Sequence, residues 1–238
     1  MRKPRVLDLF CGAGGMAMGL SRAGFEVVGV DVEEQPYYPF EFWQMDALDA
    51  WPHFADFDAL HASPPCQAWT RARRFGRGRD DHPQLIEPTR ELFARSGLPW
   101  SIENVAGTKG ELRGTVRLCG SMFGLMVERH RYFELSHMAF QPPCDHKRWT
   151  KKVFPGTPRA DGSRPLSRVV NPMASGISHD VFAESMGIDW MPATGFRPSR
   201  ELHNAIPPAY GEWIGDHLMT EVRLANPGAG HERRGRHE

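Results

Sequence analysis

The sequence predicts an α/β fold built on a doubly wound, Rossmann-like parallel sheet, and three observations favour it. Short apolar segments alternate with helical ones from residue 5 to residue 105. The first apolar segment runs into a glycine-rich turn at residues 12–15, as strands do where they enter a helix at a ligand site. Polar side chains follow several of these segments, where parallel strands end side by side. The chain has 238 residues, 40% of them hydrophobic, which suffices for one such domain and a small appendage.

Five strands are predicted in the first half of the chain, each an apolar run that stops at a polar residue or at glycine. They cover residues 5–10, 25–30, 42–45, 57–62 and 99–105. A helix over residues 16–23 follows the first strand and stops at Gly24, where glycine commonly ends a helix. A second helix is predicted over residues 82–96, in spite of Pro88.

The second half of the chain departs from this alternation. A strand is predicted over 129–135, a short helix over 180–186, and an amphipathic helix over 207–224 that begins with two prolines. Residues 141–172 are rich in proline and basic residues and lack a period, so we expect a loop-dominated insert there. The predicted divisions are an α/β domain (1–136), a small insert (137–174), a return to the domain (175–225) and a disordered tail (226–238).

Charge and cysteine content argue against several classes of protein. The 29 basic and 29 acidic residues cancel, which disfavours a uniformly basic nucleic-acid coat but leaves room for a local basic cleft. The four cysteines form no Cys-x-x-Cys pair and no disulfide pattern, so we expect a reduced, cytoplasmic setting. No apolar stretch is long enough to cross a membrane, and we expect no signal peptide.

The first three strand ends carry the residues expected of a nucleotide-type cofactor site. Glycines at the first turn let the backbone approach a ligand. Asp31 follows the second strand, where an acidic side chain binds ribose hydroxyls in dinucleotide folds, and Asp46 follows the third. Each feature alone also fits a structural role, as a tight turn without a ligand or as a cap residue. Their occurrence at three successive strand ends favours a cofactor crevice.

Cys66 is the candidate nucleophile. It follows Pro64 and Pro65 at the end of the fourth strand, and the prolines stiffen the approach to it. The alternative is an inert buried thiol, the commoner state of a single cysteine. The next loop is rich in arginine, and guanidinium groups favour a thiolate and contact phosphates, although a solvated charged loop has the same composition. The candidate nucleic-acid contacts in this loop are Arg71, Arg73, Arg74 and Arg77.

Further charged positions are predicted near the same region. Glu103 ends the fifth strand, beside the cysteine loop, although strand-end glutamates are often structural. Arg129 and Arg131 begin the next strand, and strand alternation sends both to one face. The insert adds three candidate nucleic-acid contacts, Lys147, Arg148 and Lys151.

Together these motifs resemble those of the DNA cytosine-5 methyltransferases. Asp-Leu-Phe-Cys-Gly-Ala-Gly-Gly, from residue 8, is similar to the family's cofactor motif, and Pro-Pro-Cys-Gln, from residue 64, to its catalytic motif. Glu-Asn-Val from residue 103 is similar to a third motif, and Arg129 and Arg131 match the arginines of Gln-x-Arg-x-Arg. Asn-Ala-Ile-Pro-Pro, from residue 204, resembles Gly-Asn-Ala-Val-Pro-Pro. Chance does not produce five motifs in family order.

The resemblance implies that the cofactor is S-adenosylmethionine. Phe10 would then pack on the adenine, Asp31 would hold the ribose and Asp46 the adenine amino group. The carboxyl-terminal motif would close the same pocket, so the last helix is expected to pack near the first strand. The other implied cofactor contacts are Cys11, Gly12, Ala13, Gly15, Val32, Ala47, Pro65, Asn204 and Ala205.

The resemblance also implies methyl transfer to C5 of cytosine in double-stranded DNA, and we expect the protein to be a monomer. Addition of the Cys66 thiolate at C6 would activate C5, and Glu103 would stabilise the adduct at ring N3. Arg129 would contact the base carbonyl, and Arg131 would support the site or a phosphate. The target atom is inaccessible in a stacked duplex, so the base must flip out. The small size is similar to that of bacteriophage or orphan members, which serve phage DNA modification or restriction–modification in a bacterial cell.

The chain departs from the family pattern in places. Val127 replaces the glutamine before the two arginines, and His203 stands where glycine is usual. The insert is short, so it can read few base edges and we expect a short or relaxed target sequence. Three alternatives stay open: methylation of RNA, as in a tRNA-modifying branch of the family; transfer of a larger group from a modified S-adenosylmethionine; and nucleic-acid binding without catalysis.

The sequence does not predict a metal site. Cys144 and His146, with His137 nearby, are residue types that bind zinc, but their spacing lacks the two ligand pairs typical of such sites. We therefore expect no metal.

Overall fold

A seven-stranded sheet forms the centre of the computed structural model, which describes residues 2–65, 84–108, 110–146, 154–155, 166–167, 170 and 177–227. The strands are β1 (Arg5–Leu9), β2 (Glu26–Asp31), β3 (Glu41–Gln44), β4 (Ala59–Ala62), β5 (Trp100–Asn104), β6 (Val116–Leu118) and β7 (Arg131–Leu135). Their order is β3-β2-β1-β4-β5-β7-β6. The first five in this order are parallel, and β7 runs antiparallel to both β5 and β6. The predicted α/β Rossmann-like sheet is confirmed.

Helices cover both faces of the sheet. They are α1 (Gly15–Arg22), α2 (Ile86–Ser96), α3 (His179–Met186), α4 (Arg200–Asn204) and α5 (Pro208–Ala225), with a 3₁₀ segment over Ala47–Asp56. Apolar residues of α1 and α5 pack in one buried cluster with Val6, while α2 and the 3₁₀ segment pack in another with Leu7. Consecutive residues of β1 point to opposite faces, so both faces of a central strand are buried. None of the helices in the described part of the chain combines the length and apolarity that a membrane crossing requires.

The chain reverses its direction of travel across the sheet between β1 and β4. These strands are neighbours although β2 and β3 come between them in sequence. Ligands of open α/β sheets bind at such a point, outside the carboxyl ends of the strands. The residues that follow β1, β2, β4 and β5 therefore lie along one edge, as the sequence predicted.

Helices α1 and α5 approach each other closely through glycines. A Cβ on Gly19 would lie 2.2 Å from the backbone oxygen of Pro208, and a Cβ on Gly211 would lie 2.5 Å from that of Met16. A Cβ on Gly15 would lie 2.2 Å from the backbone oxygen of Ile206. Larger residues would push the carboxyl-terminal segment away, so these glycines hold it against the first turn. The predicted packing of the last helix near the first strand is confirmed.

Most predicted elements of the first half are confirmed to within one or two residues. Helix α2 begins at Ile86 and contains Pro88 in its first turn, where backbone N–H groups have no intrahelical acceptor. Strand β4 begins two residues later than predicted because Phe57 ends the 3₁₀ segment. The amino-terminal part of the predicted 82–96 helix, residues 82–83, lies outside the described residues.

The second half contains elements that the sequence did not indicate. These are β6, α4 and two short antiparallel strands of the insert, β8 (Phe154–Pro155) and β9 (Leu166–Ser167). Strand β7 begins at Arg131 instead of residue 129 because the preceding chain at Val127 pairs with Val170 of the insert. The divisions at residues 136, 174 and 225 stay predictions, and the tail beyond residue 227 lies outside the described residues.

Candidate active site

The turn after β1 has an unusual backbone. Phe10 has φ of 55°, Gly12 of 49° and Gly14 of 84°, all in the left-handed region. A non-glycine residue there costs about 1–2 kcal/mol, so surrounding contacts must hold Phe10 in place. One such contact is the Cys11 N–H, which donates to the Val30 oxygen at 3.1 Å. A Cβ on Gly12 would meet nothing within 4 Å, so the turn leaves open space for a ligand.

Asp31 lies at this turn, as predicted. Its Oδ2 accepts from the Gly12 N–H at 3.0 Å, and its Oδ1 accepts from the Glu33 N–H at 3.0 Å. The carboxylate therefore ties the end of β2 to the glycine turn, and each oxygen keeps a second lone pair for a ligand hydroxyl. Val32, the next residue, is 67% exposed, so it presents apolar surface beside the charged Asp31 side chain.

Asp46 has the structural role that was considered beside the ligand role. It is the N-cap of the 3₁₀ segment, and its Oδ1 accepts from the Leu48 N–H at 2.9 Å. The residue is exposed, and Ala47 behind it is buried. A ligand contact through Asp46 would therefore use the remaining capacity of a cap residue.

A buried carboxyl below the turn was missed by the sequence reasoning. Asp8 is fully buried in β1, and burial raises its pKa well above its usual range, with the Asp31 carboxylate adding to the effect. The Tyr38 hydroxyl lies beside it, and the Tyr38 ring covers Gly29 of β2. An aspartate within an apolar strand was the available signal.

Two prolines at the end of β4 lead into the candidate nucleophile. Cys66 itself lies outside the described residues, and Pro65 is described immediately before it. The Ser63 N–H donates to the Leu9 oxygen at 3.1 Å, and Asn104 Nδ2 donates to the Pro64 oxygen at 2.9 Å. The other end of the Asn104 amide accepts from the Val105 N–H at 2.9 Å. Asn104 therefore joins the end of β5 to the loop that carries Cys66.

Glu103 is 5% exposed and lies next to the two predicted arginines. Its Oε1 lies 2.9 Å from Arg131 Nε, as an ion pair. Burial raises the pKa of Glu103, and the charges of Arg131 and Arg129 and a hydrogen bond from the Ser63 hydroxyl oppose this effect without cancelling it. The side chain is thus a carboxyl that can hold a proton.

Arg129 lies near this carboxyl and is bonded to the segment predicted to close the cofactor crevice. Its Nη2 donates to the His203 oxygen at 2.7 Å and to the Asn204 oxygen at 3.3 Å. The Tyr210 hydroxyl of α5 donates to the backbone oxygen of Arg129 at 2.6 Å. The predicted catalytic arginine and the predicted cofactor residues at 204–205 are therefore directly linked.

The carboxyl-terminal return also contacts the glycine turn. Trp190 Nε1 donates to the Ala13 oxygen at 3.2 Å, and Ala205 packs in a buried cluster with Ala13. Asn204 is exposed, and the ring of His203 lies 4.9 Å from that of Phe182. Burial and the Arg129 charge lower the pKa of His203, so the imidazole is held toward its neutral form.

A buried histidine of β4 forms a network that the sequence did not reveal. His61 Nδ1 lies 2.7 Å from the Ser101 hydroxyl, and Nε2 lies 3.1 Å from the Ser63 hydroxyl. Burial lowers the pKa of His61 to about 3, so the ring is neutral. Because Ser63 also bonds to Glu103, the neutral imidazole fixes the hydroxyl that supports the carboxyl.

The described residues bring together Glu103, Arg129 and Arg131, with Pro65 and the glycine turn along the same edge of the sheet. Predictions for the remaining charged residues stay untested. The positions outside the described residues are Cys66, Arg71, Arg73, Arg74, Arg77, Lys147, Arg148 and Lys151.

Part of the chain matches the model of a known protein family. Residues 4–108 match the sequence model of a family described as C-5 cytosine-specific DNA methylase. The matched part includes the glycine turn, Asp31, Cys66 and Glu103. The chain matches none of the curated proteins with which it was compared.

Solved structures share the fold over almost the whole chain. One is a protein assigned as a DNA modification methyltransferase, encoded within a prophage (E. coli), with a TM-score of 0.63 and 17% identity over 91% of this chain and 99% of that one. The Entamoeba histolytica methyltransferase EhMeth gives 0.60 and 12% identity, covering 93% and 99%. The S. pombe Dnmt2 methyltransferase gives 0.54 and 14% identity, covering 94% and 99%. At these identities the likeness is one of fold.

Proposed function

We propose, from the match of residues 4–108 to the model of the C-5 cytosine-specific DNA methylase family, that this chain methylates C5 of cytosine in double-stranded DNA through a covalent adduct with Cys66. One observation supports the proposal most. A buried glutamate with a raised pKa lies 2.9 Å from Arg131, and the adjacent Asn104 holds the loop that leads to Cys66. Glu103 thus belongs to β5, and the segment that leads to Cys66 leaves the neighbouring strand β4.

The cofactor crevice suits S-adenosylmethionine. It combines open backbone at Gly12, a carboxylate at Asp31 and exposed apolar surface at Val32, which match an amino-acid tail, a ribose and an adenine face. When bound, S-adenosylmethionine supplies a methyl group on a positively charged sulfur. The residues proposed to hold it are Phe10, Cys11, Gly12, Ala13, Gly15, Asp31, Val32, Asp46, Ala47, Pro65, Asn204 and Ala205.

Activation of the base rests on Cys66 and Glu103. The Cys66 thiolate adds to C6 of cytosine, and electron density moves from the C5–C6 bond toward ring N3 and onto C5. Glu103 donates its proton, or a strong hydrogen bond, to N3 and so stabilises the adduct. After C5 gains the methyl group, it loses its proton to a base, and elimination of the thiolate restores the aromatic ring.

The arginines hold the base and link it to the cofactor crevice. Arg131, paired with Glu103, orients the carboxyl toward the ring. Arg129 is anchored on the His203 and Asn204 carbonyls, so it can contact the base carbonyl from a rigid position. A flipped cytosine is needed because the thiol must approach the face of the ring.

The cysteine loop and the insert both carry basic residues that can contact the DNA backbone. We propose that Arg71, Arg73, Arg74 and Arg77 of the cysteine loop contact DNA phosphates. We propose the same role for Lys147, Arg148 and Lys151 of the insert. The protein acts as a monomer.

Nucleoside mass spectrometry tests the reaction. Purified protein is incubated with S-adenosylmethionine and, in separate reactions, with duplex DNA and tRNA. We expect 5-methyldeoxycytidine from the duplex, none with Cys66→Ser, and full product with Arg113→Ala, a surface arginine that pairs with Glu87. Methylcytidine from tRNA alone would move the substrate to RNA, and no product from either would overturn the proposed activity.

A further inference from the structure

Four side chains of the types that ligate metals converge near the start of β7. They are Cys119, His130, Cys144 and His146, and their ligand atoms all lie within 4.8 Å of one another. We propose that these four residues bind one Zn²⁺ ion in a structural site. The proposed ion joins the end of β6, the start of β7 and the first residues of the insert.

The distances suit a tetrahedral ion. Zn–S bonds of about 2.3 Å and Zn–N bonds of about 2.0–2.1 Å place sulfur and nitrogen ligands about 3.6 Å apart at tetrahedral angles. Cys119 Sγ lies 3.4 Å from His146 Nε2, and Cys144 Sγ lies 3.5 Å from His130 Nε2. Cys144 Sγ lies 3.0 Å from His146 Nε2, which a bound ion would lengthen. Two thiolates and two imidazoles are a ligand set that zinc prefers.

Groups behind the ligands support metal binding. Glu128 Oε1 lies 3.8 Å from Nδ1 of His146, the ring nitrogen that faces away from the cluster. This separation is longer than a hydrogen bond, and a carboxylate that closes on this nitrogen would orient a metal-bound imidazole and raise its basicity. The Ser121 hydroxyl lies 3.5 Å from Cys144 Sγ, where it can donate to a thiolate.

The site is closed, which favours a structural role. Four protein side chains complete a tetrahedral zinc and leave no position for water or substrate. Cys119 is fully buried, whereas His146 is exposed, so the ion has an entry path and a buried anchor. The spacing hides the site from sequence inspection, because ten residues separate Cys119 from His130 and thirteen separate His130 from Cys144.

The position of His130 connects this site to the candidate active site. It lies between Arg129 and Arg131, and neighbouring residues of an extended chain point to opposite sides. An ion on His130 would therefore hold the backbone that presents both arginines to Glu103. The ion would also fix the root of the predicted insert through Cys144 and His146. This effect on catalysis rests on the proposed function, whereas metal binding does not.

Metal analysis of the full chain tests the site. We expect about one zinc per chain in protein purified without added metal, and loss of most of it in Cys144→Ser. The matched control is His137→Asn, because His137 lies in the same segment but stacks on His217 instead of joining the cluster. The control should keep its zinc. Wild-type protein without zinc, or full zinc in Cys144→Ser, would overturn the proposal.

Cobalt substitution tests the proposed metal site in the wild-type protein if Cys144→Ser fails to fold. Wild-type protein reloaded with Co²⁺ should show thiolate-to-cobalt charge transfer and the intense visible bands of a tetrahedral ion. An octahedral spectrum without thiolate bands would overturn the proposal, as would a Cys119–Cys144 disulfide in protein purified under reducing conditions.

Thermal unfolding and proteolysis report the structural role without reference to activity. Chelation should lower the unfolding midpoint and increase cleavage within residues 137–174, and Zn²⁺ should restore both. Loss of methyl transfer together with these changes would support the link to the arginines. A zinc-loaded protein that methylates no nucleic acid would refute the proposed function and leave the metal site standing.

Discussion

Asn104 offers the sharpest test of how the candidate active site is held together. Its side chain donates to the Pro64 oxygen and accepts from the Val105 N–H, both at 2.9 Å, and the residue is 1% exposed. Asn104→Ala removes two bonds of about 1 kcal/mol each and leaves poorly solvated partners, so we expect a loss of about 2–4 kcal/mol in unfolding free energy. The Cys66 loop loses its tether, and a displacement of about 1 Å at the nucleophile lowers kcat about a hundredfold.

Urea denaturation and radiolabelled methyl transfer measure the two effects separately. The KM for S-adenosylmethionine should change little, because Asn104 lies at the cysteine loop and not at the glycine turn. Asn226→Ala is the matched control, since Asn226 also donates through Nδ2 to a backbone oxygen, at 3.1 Å, but at the exposed end of α5. A folded Asn104→Ala protein with wild-type kcat would refute the tethering argument.

Three other changes test separate parts of the account. His61 has a folded pKa of about 3, below its unfolded value, so the stability that it contributes is present above about pH 6.5 and is lost as the pH falls toward 3, by up to about 5 kcal/mol. Urea titrations at several pH values should show a flatter decline of the unfolding free energy in His61→Asn. An unchanged decline would contradict the buried neutral ring. Gly15→Ala places a Cβ 2.2 Å from the backbone oxygen of Ile206, so it should lower the free energy of unfolding by about 1–3 kcal/mol and weaken S-adenosylmethionine binding measured by calorimetry. Gly110→Ala, with open space around it, should do neither. DNA binding should weaken steeply with added salt, and Arg71→Gln should reduce the slope of log affinity against log salt concentration by about 0.9, while Arg113→Gln should leave it unchanged. Equal slopes for the wild type and both variants would argue against a phosphate contact at Arg71.

Local patterns were enough to predict the part of the fold that positions the candidate cofactor crevice. β1, α1 and β2 each combine an apolar run with a glycine or an aspartate at its end, and these signals lie within a few residues. β6 and α4 have only three and five residues, so their formation depends on neighbours distant in sequence. The start of β7 was placed too early because the pairing of Val127 with Val170 depends on the insert.

The candidate active site likewise has a part that the sequence predicts and a part that it does not. Glu103, Arg129 and Arg131 were predicted from motifs, and the described residues bring them together. The links between them were not predictable, since the Ser63 hydroxyl and the His203 carbonyl act through three-dimensional contacts that carry no sequence pattern.

The cluster around His130 shows most clearly what sequence spacing does not predict. The sequence grouped Cys144 and His146 with His137, whereas the fold brings them together with Cys119, directly after β6, and His130, directly before β7. Spacing rules for zinc sites describe ligands within one small unit. They do not extend to ligands that a sheet collects from separate segments.

Trapping the covalent adduct tests the central claim most directly. In duplex DNA that carries 5-fluorodeoxycytidine, the proton normally removed from C5 is replaced by fluorine, so the enzyme cannot complete elimination. With S-adenosylmethionine present, we expect a complex that survives denaturation, with the mass of protein, oligonucleotide and one methyl group, and with the modified peptide mapping to Cys66. Methylation of ordinary duplex DNA without any trapped complex, or an adduct on another residue, would contradict the account.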